Sequence, residues 1–383
     1  MKRVAVVGTA LGILIILALA ARWPGAEPTA QTRLPGLSGE AGGFRRADGP
    51  KPLSFPVDHG PHPDYQTEWW YYTGNLESVD GRHFGYQLTF FRRALLPADQ
   101  RPARVSTWAA EQVYLAHFAL TDTSSEQHTA FERFSRGAAG LAGAQASPYH
   151  VWLEDWQVKE SAPGVYRLHA SQEEVALDLQ LSDEKGPVLQ GDRGYSQKGP
   201  DPGNASYYYS LTRLASTGAL RVGDEIYPVN GWSWMDHEFS TSALGPKQVG
   251  WDWFALQLDD GSELMVFQLR REDGSVDAFS SGAFVAADGA TTRLARDDFF
   301  LRVEETWRSP RSGATYPAHW TVSVPRLDLT LDITPHLADQ ELNVSYTYWE
   351  GAVRVGGQRA GQAVNGNGYV ELTGYADSMQ NQF

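Results

Sequence analysis

Short runs rich in Trp, Tyr, Phe and Val follow one another from Thr67 to Tyr375, each closed by Gly, Pro, Asp or Ser. That punctuation leaves little room for long helices, and its regular spacing is the pattern of an antiparallel β-barrel or sandwich. Aromatic and β-branched side chains suit a pleated, half-buried surface, while Gly, Pro and Asp supply turns. Strands are expected at Thr67–Leu76, Phe84–Arg93, Gln112–Thr121, Tyr149–Glu160, Tyr166–Ala170, Val175–Ser182 and Ser206–Leu214. Phe131–Gly143 departs from the pattern and reads as a short helix and loop. Lys185–Ala205 reads as a long irregular loop.

A second half begins near Gly245. Its Trp251-Asp252-Trp253-Phe254 leads to a turn at Asp260-Gly261 and a return strand with Gln268-Leu269 before Arg270-Arg271. The first half has Trp70-Tyr71, a turn at Asp80-Gly81 and Gln87-Leu88 before Arg92-Arg93. Matching punctuation points to two duplicated barrel-like units. The expected division is 53–242 for an N-terminal domain and 243–383 for a C-terminal one, with 31–52 a Pro- and Gly-rich linker. Residues 1–30 hold Met1-Lys2-Arg3 and the apolar run Val4–Ala21, which reads as an export signal or an N-terminal membrane anchor. The expected location is therefore outside the cytoplasm, periplasmic or tethered by that segment.

The chain has no cysteine, which excludes disulfides, thiolate metal sites and Cys nucleophiles. Its net charge of −14 opposes a phosphate backbone, so nucleic acid is not an expected partner. Neither a phosphate-binding Gly-rich loop nor a Gly-x-Ser-x-Gly nucleophile turn is present. His59 and His62, with Asp58 and Asp64, lie on a Pro-broken loop that offers no preorganised ligand face, so no metal is expected.

The chemistry-bearing stretch is Asn230–Ser240. In a strand, Trp232, Trp234, Asp236 and Glu238 share one face, and Ser233, Met235, His237 and Phe239 the other. A carboxyl beside indoles is costly to ionise, and the same cost raises its pKa into the range of a proton donor. Asp236 is thus either a structural acceptor or a general acid facing a greasy hollow inside a barrel. Glu68, Trp70 and Tyr72 alternate to one face of their strand, and Tyr207 and Tyr209 to one face of theirs. These five, with Trp232 and Trp234, are the expected ligand-binding residues. Glu68 either pairs with an Arg or faces Asp236 across the cavity.

The runs His62–Tyr72, Ala205–Arg213, Gly231–Glu238, Tyr348–Ala352 and Gly368–Tyr375 together resemble the AttH-like family, related to carotenoid 1,2-hydratase. The resemblance spans Pro52 to Tyr375. It implies an all-β fold of two tandem lipocalin-like antiparallel barrels, and no cofactor. In the hydratase branch an Asp protonates an alkene and water captures the cation; Asp236 stands at that position, with His237 or Glu238 to orient it. The chain departs from that branch at Tyr207-Tyr208-Tyr209, where a His and a Trp are expected, and at Trp234, where a Tyr is expected. The AttH-like branch resembles exported accessory proteins of membrane transporters. The reading placed first is therefore a carrier of an apolar or amphipathic small molecule, working with a transporter. A cofactor-independent hydro-lyase, with Asp236, His237 and Glu238 as catalytic residues, comes second. Carbohydrate binding or hydrolysis through Glu68 and Asp236 comes third.

Overall fold

The computed structural model describes residues 42–380, apart from 102–105, 107–108 and 243. The expected signal or anchor lies outside the described residues. The described chain is almost entirely antiparallel β, in two barrel-like sheets. The first, nearly closed, is 13-stranded and takes its strands from Thr67–Ser78 to Glu225–Ser240. The second, a half-barrel, is 10-stranded and runs from Gln248–Leu258 to Gln362–Leu372.

Each sheet is wound alike. A meander opens with a hairpin, and the last strand of the half returns to pair with the first. Thr67–Ser78 therefore lies between His83–Ala94 and Glu225–Ser240. Gln248–Leu258 likewise lies between Glu263–Arg271 and Gln362–Leu372. The two matching hairpins seen in the sequence are these opening pairs.

Three apolar clusters follow from the period-2 alternation. Trp70, Tyr72, Phe84, Leu88, Trp156 and Leu211 are among the residues that fill the concave side of the first sheet. Phe254, Leu256, Trp320, Leu331, Trp349 and Val370 do so in the second. The opposite faces of the central strands meet each other: Tyr71, Tyr208 and Trp234 pack on Trp253, Met265, Phe267 and Tyr369. Each large side chain so buried contributes on the order of 2–3 kcal/mol. The halves approach closely at Gly85, where an added Cβ would lie 2.5 Å from Ala352 Cβ. Side-chain amides stitch the seam, with Asn75 Nδ2 donating to Gly368 O at 3.0 Å and Gln257 Nε2 to Thr212 O at 2.7 Å.

Three local expectations need correction. Residues 127–136 form a strand, Gln127–Arg136, and Ala142–Ala146 is another, so no helix occupies Phe131–Gly143. Tyr149–Glu160 is two strands, Tyr149–Leu153 and Trp156–Ala162, hinged by Glu154 with positive φ. The described part of the expected linker is docked: Ala47 is buried against Tyr65, Tyr207 and Phe239, and Tyr207 OH donates to Gly49 O at 2.9 Å. No helix among the described residues is long and apolar enough to cross a membrane.

Candidate active site

Glu225–Ser240 lies between Thr67–Ser78 and Ala205–Val222, in a register that sets Asp236 opposite Tyr71 on one side and Ser210 on the other. His237 is opposite Trp70 and Tyr209 in the same way. The strand thus has two chemically distinct faces. Asp236 and Glu238 look out of the first sheet toward the second half, where Trp251, Trp253, Phe267, Glu350 and Glu371 close a pocket over them. The cavity is small, about 80 Å³, against the several hundred Å³ of sites that enclose a whole drug-sized ligand.

Three donors converge on Asp236. Tyr208 OH donates to Oδ2 at 2.6 Å, while Ser210 Oγ at 2.5 Å and Trp234 Nε1 at 2.7 Å donate to Oδ1. None is a cation. Burial pushes the carboxyl up to about 7 against the pull of those donors, and the neighbouring Glu238 adds to the rise. Tyr208 OH also accepts from Trp253 Nε1 at 3.1 Å, so the second half fixes the hydroxyl that steers the acid. Glu238 is ion-paired with Lys198 at 3.2 Å, and Lys198 lies over the Phe267 ring.

The other face is a closed network. Glu68 accepts from Arg92 Nε at 2.7 Å and is hydrogen-bonded to His237 Nε2 and His62 Nδ1, each at 2.8 Å. His62 continues to Asp58 at 2.9 Å, and Tyr209 OH links His237 to His59. Burial alone would raise Glu68, but the Arg92 guanidinium and the two rings outweigh it and hold the carboxyl well below its usual range. Burial keeps His237 lowered, despite its bond to Glu68. His62, Glu68 and His237 bring three ligand atoms within 4.8 Å of one another. An ion there would sit beside a guanidinium already committed to Glu68, so the donor set suits protons better than a metal.

The expected site is therefore corrected residue by residue. Asp236 and Glu238 line the pocket, and Trp234 is buried behind its wall, bonded to Asp236. His237 points to the opposite side of the sheet and cannot orient Asp236. Glu68, Trp70, Tyr72, Tyr207 and Tyr209 share His237's side of the sheet. Trp70 Nε1 donates to His59 O at 2.9 Å and Tyr72 OH bonds Tyr149 OH at 2.8 Å, as packed core groups. Trp232 keeps the predicted face but is 40% exposed, because Glu225–Ser240 is continuously buried only from Ser233 onward. Its ring packs under Arg213 at 5.0 Å. Glu68 and Asp236 lie on opposite faces and cannot flank one glycosidic bond. The hollow itself lies between the halves and not inside a barrel. Sequence reasoning missed Tyr208, Ser210, Trp253, Glu350 and Glu371; only the Tyr348–Ala352 and Gly368–Tyr375 motifs marked the last two.

A family model described as AttH-like matches residues 46–375. A crystal structure described as an AttH from Nitrosomonas europaea is 37% identical, with a TM-score of 0.78, covering 87% of this chain and all of its own. Kievitone hydratase from Nectria haematococca has the same fold at 14% identity, with a TM-score of 0.65 over 88% of this chain and 98% of its own. Dehydratase asqC from Emericella nidulans is 24% identical over 220 residues, 54% of this chain. The match spans 60% of that relative's length.

Proposed function

The chain belongs to the AttH-like family, and we propose that it is a hydro-lyase that adds water to, or removes it from, a carbon–carbon double bond of an apolar small molecule. One observation carries the reading: Asp236 is a carboxylic acid with hydrogen-bond donors but no cation, held near pH 7 in an aromatic-walled pocket. Such a group is protonated often enough to donate and ionised often enough to accept. Tyr71, Tyr208 and Trp253 present ring surface where a developing carbocation is stabilised by π-electron density. The named activities of the hydratase and dehydratase relatives support the same chemistry over the carrier reading. So does the packing of both concave interiors, the space in which a barrel-type carrier holds its cargo.

A cavity of about 80 Å³ takes an end group, not a whole lipid. An isoprenoid alkene, a carotenoid among them, would enter by its terminal double bond. Protonation there gives a tertiary cation that water captures. The charged and then apolar N-terminal segment supports export of the enzyme.

The test is incubation with farnesol as a linear isoprenoid probe in ¹⁸O-labelled water, read by mass spectrometry. Wild type is expected to give a labelled tertiary alcohol, and Asp236→Asn to lower its rate by about 100-fold or more. Equal rates in the two proteins would overturn the assignment of the acid.

A further inference from the structure

The second wall of the pocket carries a pair of carboxyl groups that the acid at Asp236 does not use. Glu350 and Glu371 are direct cross-strand partners on Thr347–Arg359 and Gln362–Leu372, and both line the cavity. Cross-strand partners hold their Cβ atoms about 4.5–5.5 Å apart, too close for two charges in a buried site. Their surroundings differ. Glu371 accepts from Trp251 Nε1 at 2.8 Å and keeps part of its surface open to the pocket. Glu350 is 1% exposed, and neither of its oxygens has a partner in hydrogen-bonding geometry, although the Tyr71 and Tyr348 hydroxyls approach it. Among the described residues, no Lys or Arg is ion-paired with either.

We propose that Glu350 and Glu371 share one proton as the pocket's second acid–base centre, with Glu371 the ionised member that handles water while Asp236 handles carbon. The inference rests on the hydro-lyase reading for its role and on the geometry of the pair for its existence. Burial raises both carboxyls: Glu350 well above the usual range, with the Glu371 charge adding to the rise, and Glu371 to about 7, with the Asp236 and Glu238 charges adding to it. The Trp251 donor decides which of them bears the charge.

The steps balance. In hydration, Asp236 gives its proton to one alkene carbon, so a C–H bond forms as the π bond breaks. A water oxygen bonds the cationic carbon, and Glu371 takes the proton that the water sheds. The enzyme is left with an ionised Asp236 and a protonated Glu371, and exchange of one proton with solvent restores it. Dehydration is the reverse, with Glu371 protonating the departing hydroxyl and the Asp236 carboxylate removing the C–H proton.

Infrared difference spectra at pH 8 test the shared proton without a substrate. Wild type should show a protonated-carboxyl stretch that Glu350→Gln abolishes and Asp236→Asn leaves in place. A band unaffected by Glu350→Gln in a protein with wild-type circular dichroism would overturn the pair. Farnesol in D₂O tests the role. Glu371→Gln should keep deuterium incorporation at carbon within about threefold of wild type while the hydrated product falls by about 100-fold; Asp236→Asn should lose both. If Glu371→Gln loses both equally, or neither, the division of labour is wrong. A wild type that labels no carbon sinks the hydro-lyase reading and this role with it, while the infrared result still decides whether the proton is shared.

Discussion

Asp236 and His237, one residue apart on Glu225–Ser240, open onto carboxyl groups in opposite circumstances on the two faces of the sheet. On the His237 side, Glu68 has a guanidinium and two imidazoles within hydrogen-bonding distance and is held ionised. On the Asp236 side, three uncharged donors cannot offset burial, and the carboxyl is pushed up to about 7. A buried carboxylate with matched partners is a structural tie, with little reason to give up or take a proton near neutral pH. A buried carboxyl without a cation is destabilising when ionised and chemically available for the same reason. The strand joins a clasp to an acid, and the clasp fixes the register that presents the acid.

That contrast makes opposite-signed predictions for neighbouring carboxyls. The largest effect belongs to Glu68→Gln, which leaves Arg92 buried without its counter-charge and should cost roughly 3–5 kcal/mol in urea unfolding at pH 7. Its pH dependence follows from the lowered carboxyl. The stabilisation is present above the unfolded value of 4.5 and lost as pH falls through the lower folded value. Glu68→Gln should therefore converge on wild type in acid. Asp236→Asn should do the reverse. A raised carboxyl costs nothing below the unfolded value of 3.8, and its penalty grows as pH rises through about 7, to roughly 4 kcal/mol at most. With part of that gain lost to imperfect amide pairing, the variant should be about 1–3 kcal/mol more stable than wild type at pH 8. At pH 4, where the charge penalty is nearly absent, the same pairing loss should leave the variant about 1–3 kcal/mol less stable than wild type. An Asp236→Asn protein that is destabilised at pH 8 would make Asp236 a second clasp and erase the contrast.

How far these faces could be read from sequence depends on what alternation encodes. Thr67–Ser78 and Glu225–Ser240 were legible because aromatic residues at period 2 admit little else, and the duplicated hairpins were legible from turns at Asp80-Gly81 and Asp260-Gly261. Alternation sorted Glu68, Trp70 and Tyr72 from Trp69 and Tyr71 correctly. It could not say which set faced the pocket, since both sides of these strands are aromatic and buried. Tyr207-Tyr208-Tyr209 is the plainest case: identical side chains, of which only the middle one touches Asp236. Gln127–Arg136 escaped notice because most of its residues are only half-buried and show no clean period. Glu350 and Glu371 lie far from Asp236 in the chain and reach it only through packing of the second half, which no local pattern records.

Tyr208→Phe is the next test in size, and it sharpens the comparison by weakening one donor. It should cost about 1–2 kcal/mol, because Trp253 Nε1 loses its acceptor in a dry site. Without the hydroxyl the ionised form of Asp236 is less favoured, so its pKa should rise further. The alkaline limb of the pH–rate profile should then move to higher pH, and a limb that stays in place would show that Asp236 is not the titrating acid.

The smallest effect is expected at Trp232, and it bears on where the acid face ends. Trp232 continues the side of the strand that holds Trp234 and Asp236, yet it is 40% exposed, lines no part of the pocket and packs under Arg213. A ring stacked on a guanidinium at the surface is worth about 0.5–1 kcal/mol. Trp232→Ala should lower stability by no more than that and change farnesol hydration less than about twofold, because no atom of the pocket wall is lost. Face and burial are separate properties of a strand residue: alternation supplies the first, and tertiary packing supplies the second. A large loss of activity in Trp232→Ala, with stability kept, would mean that substrate lies along the exposed end of the strand, and that the acid face works as an open track in place of a closed chamber.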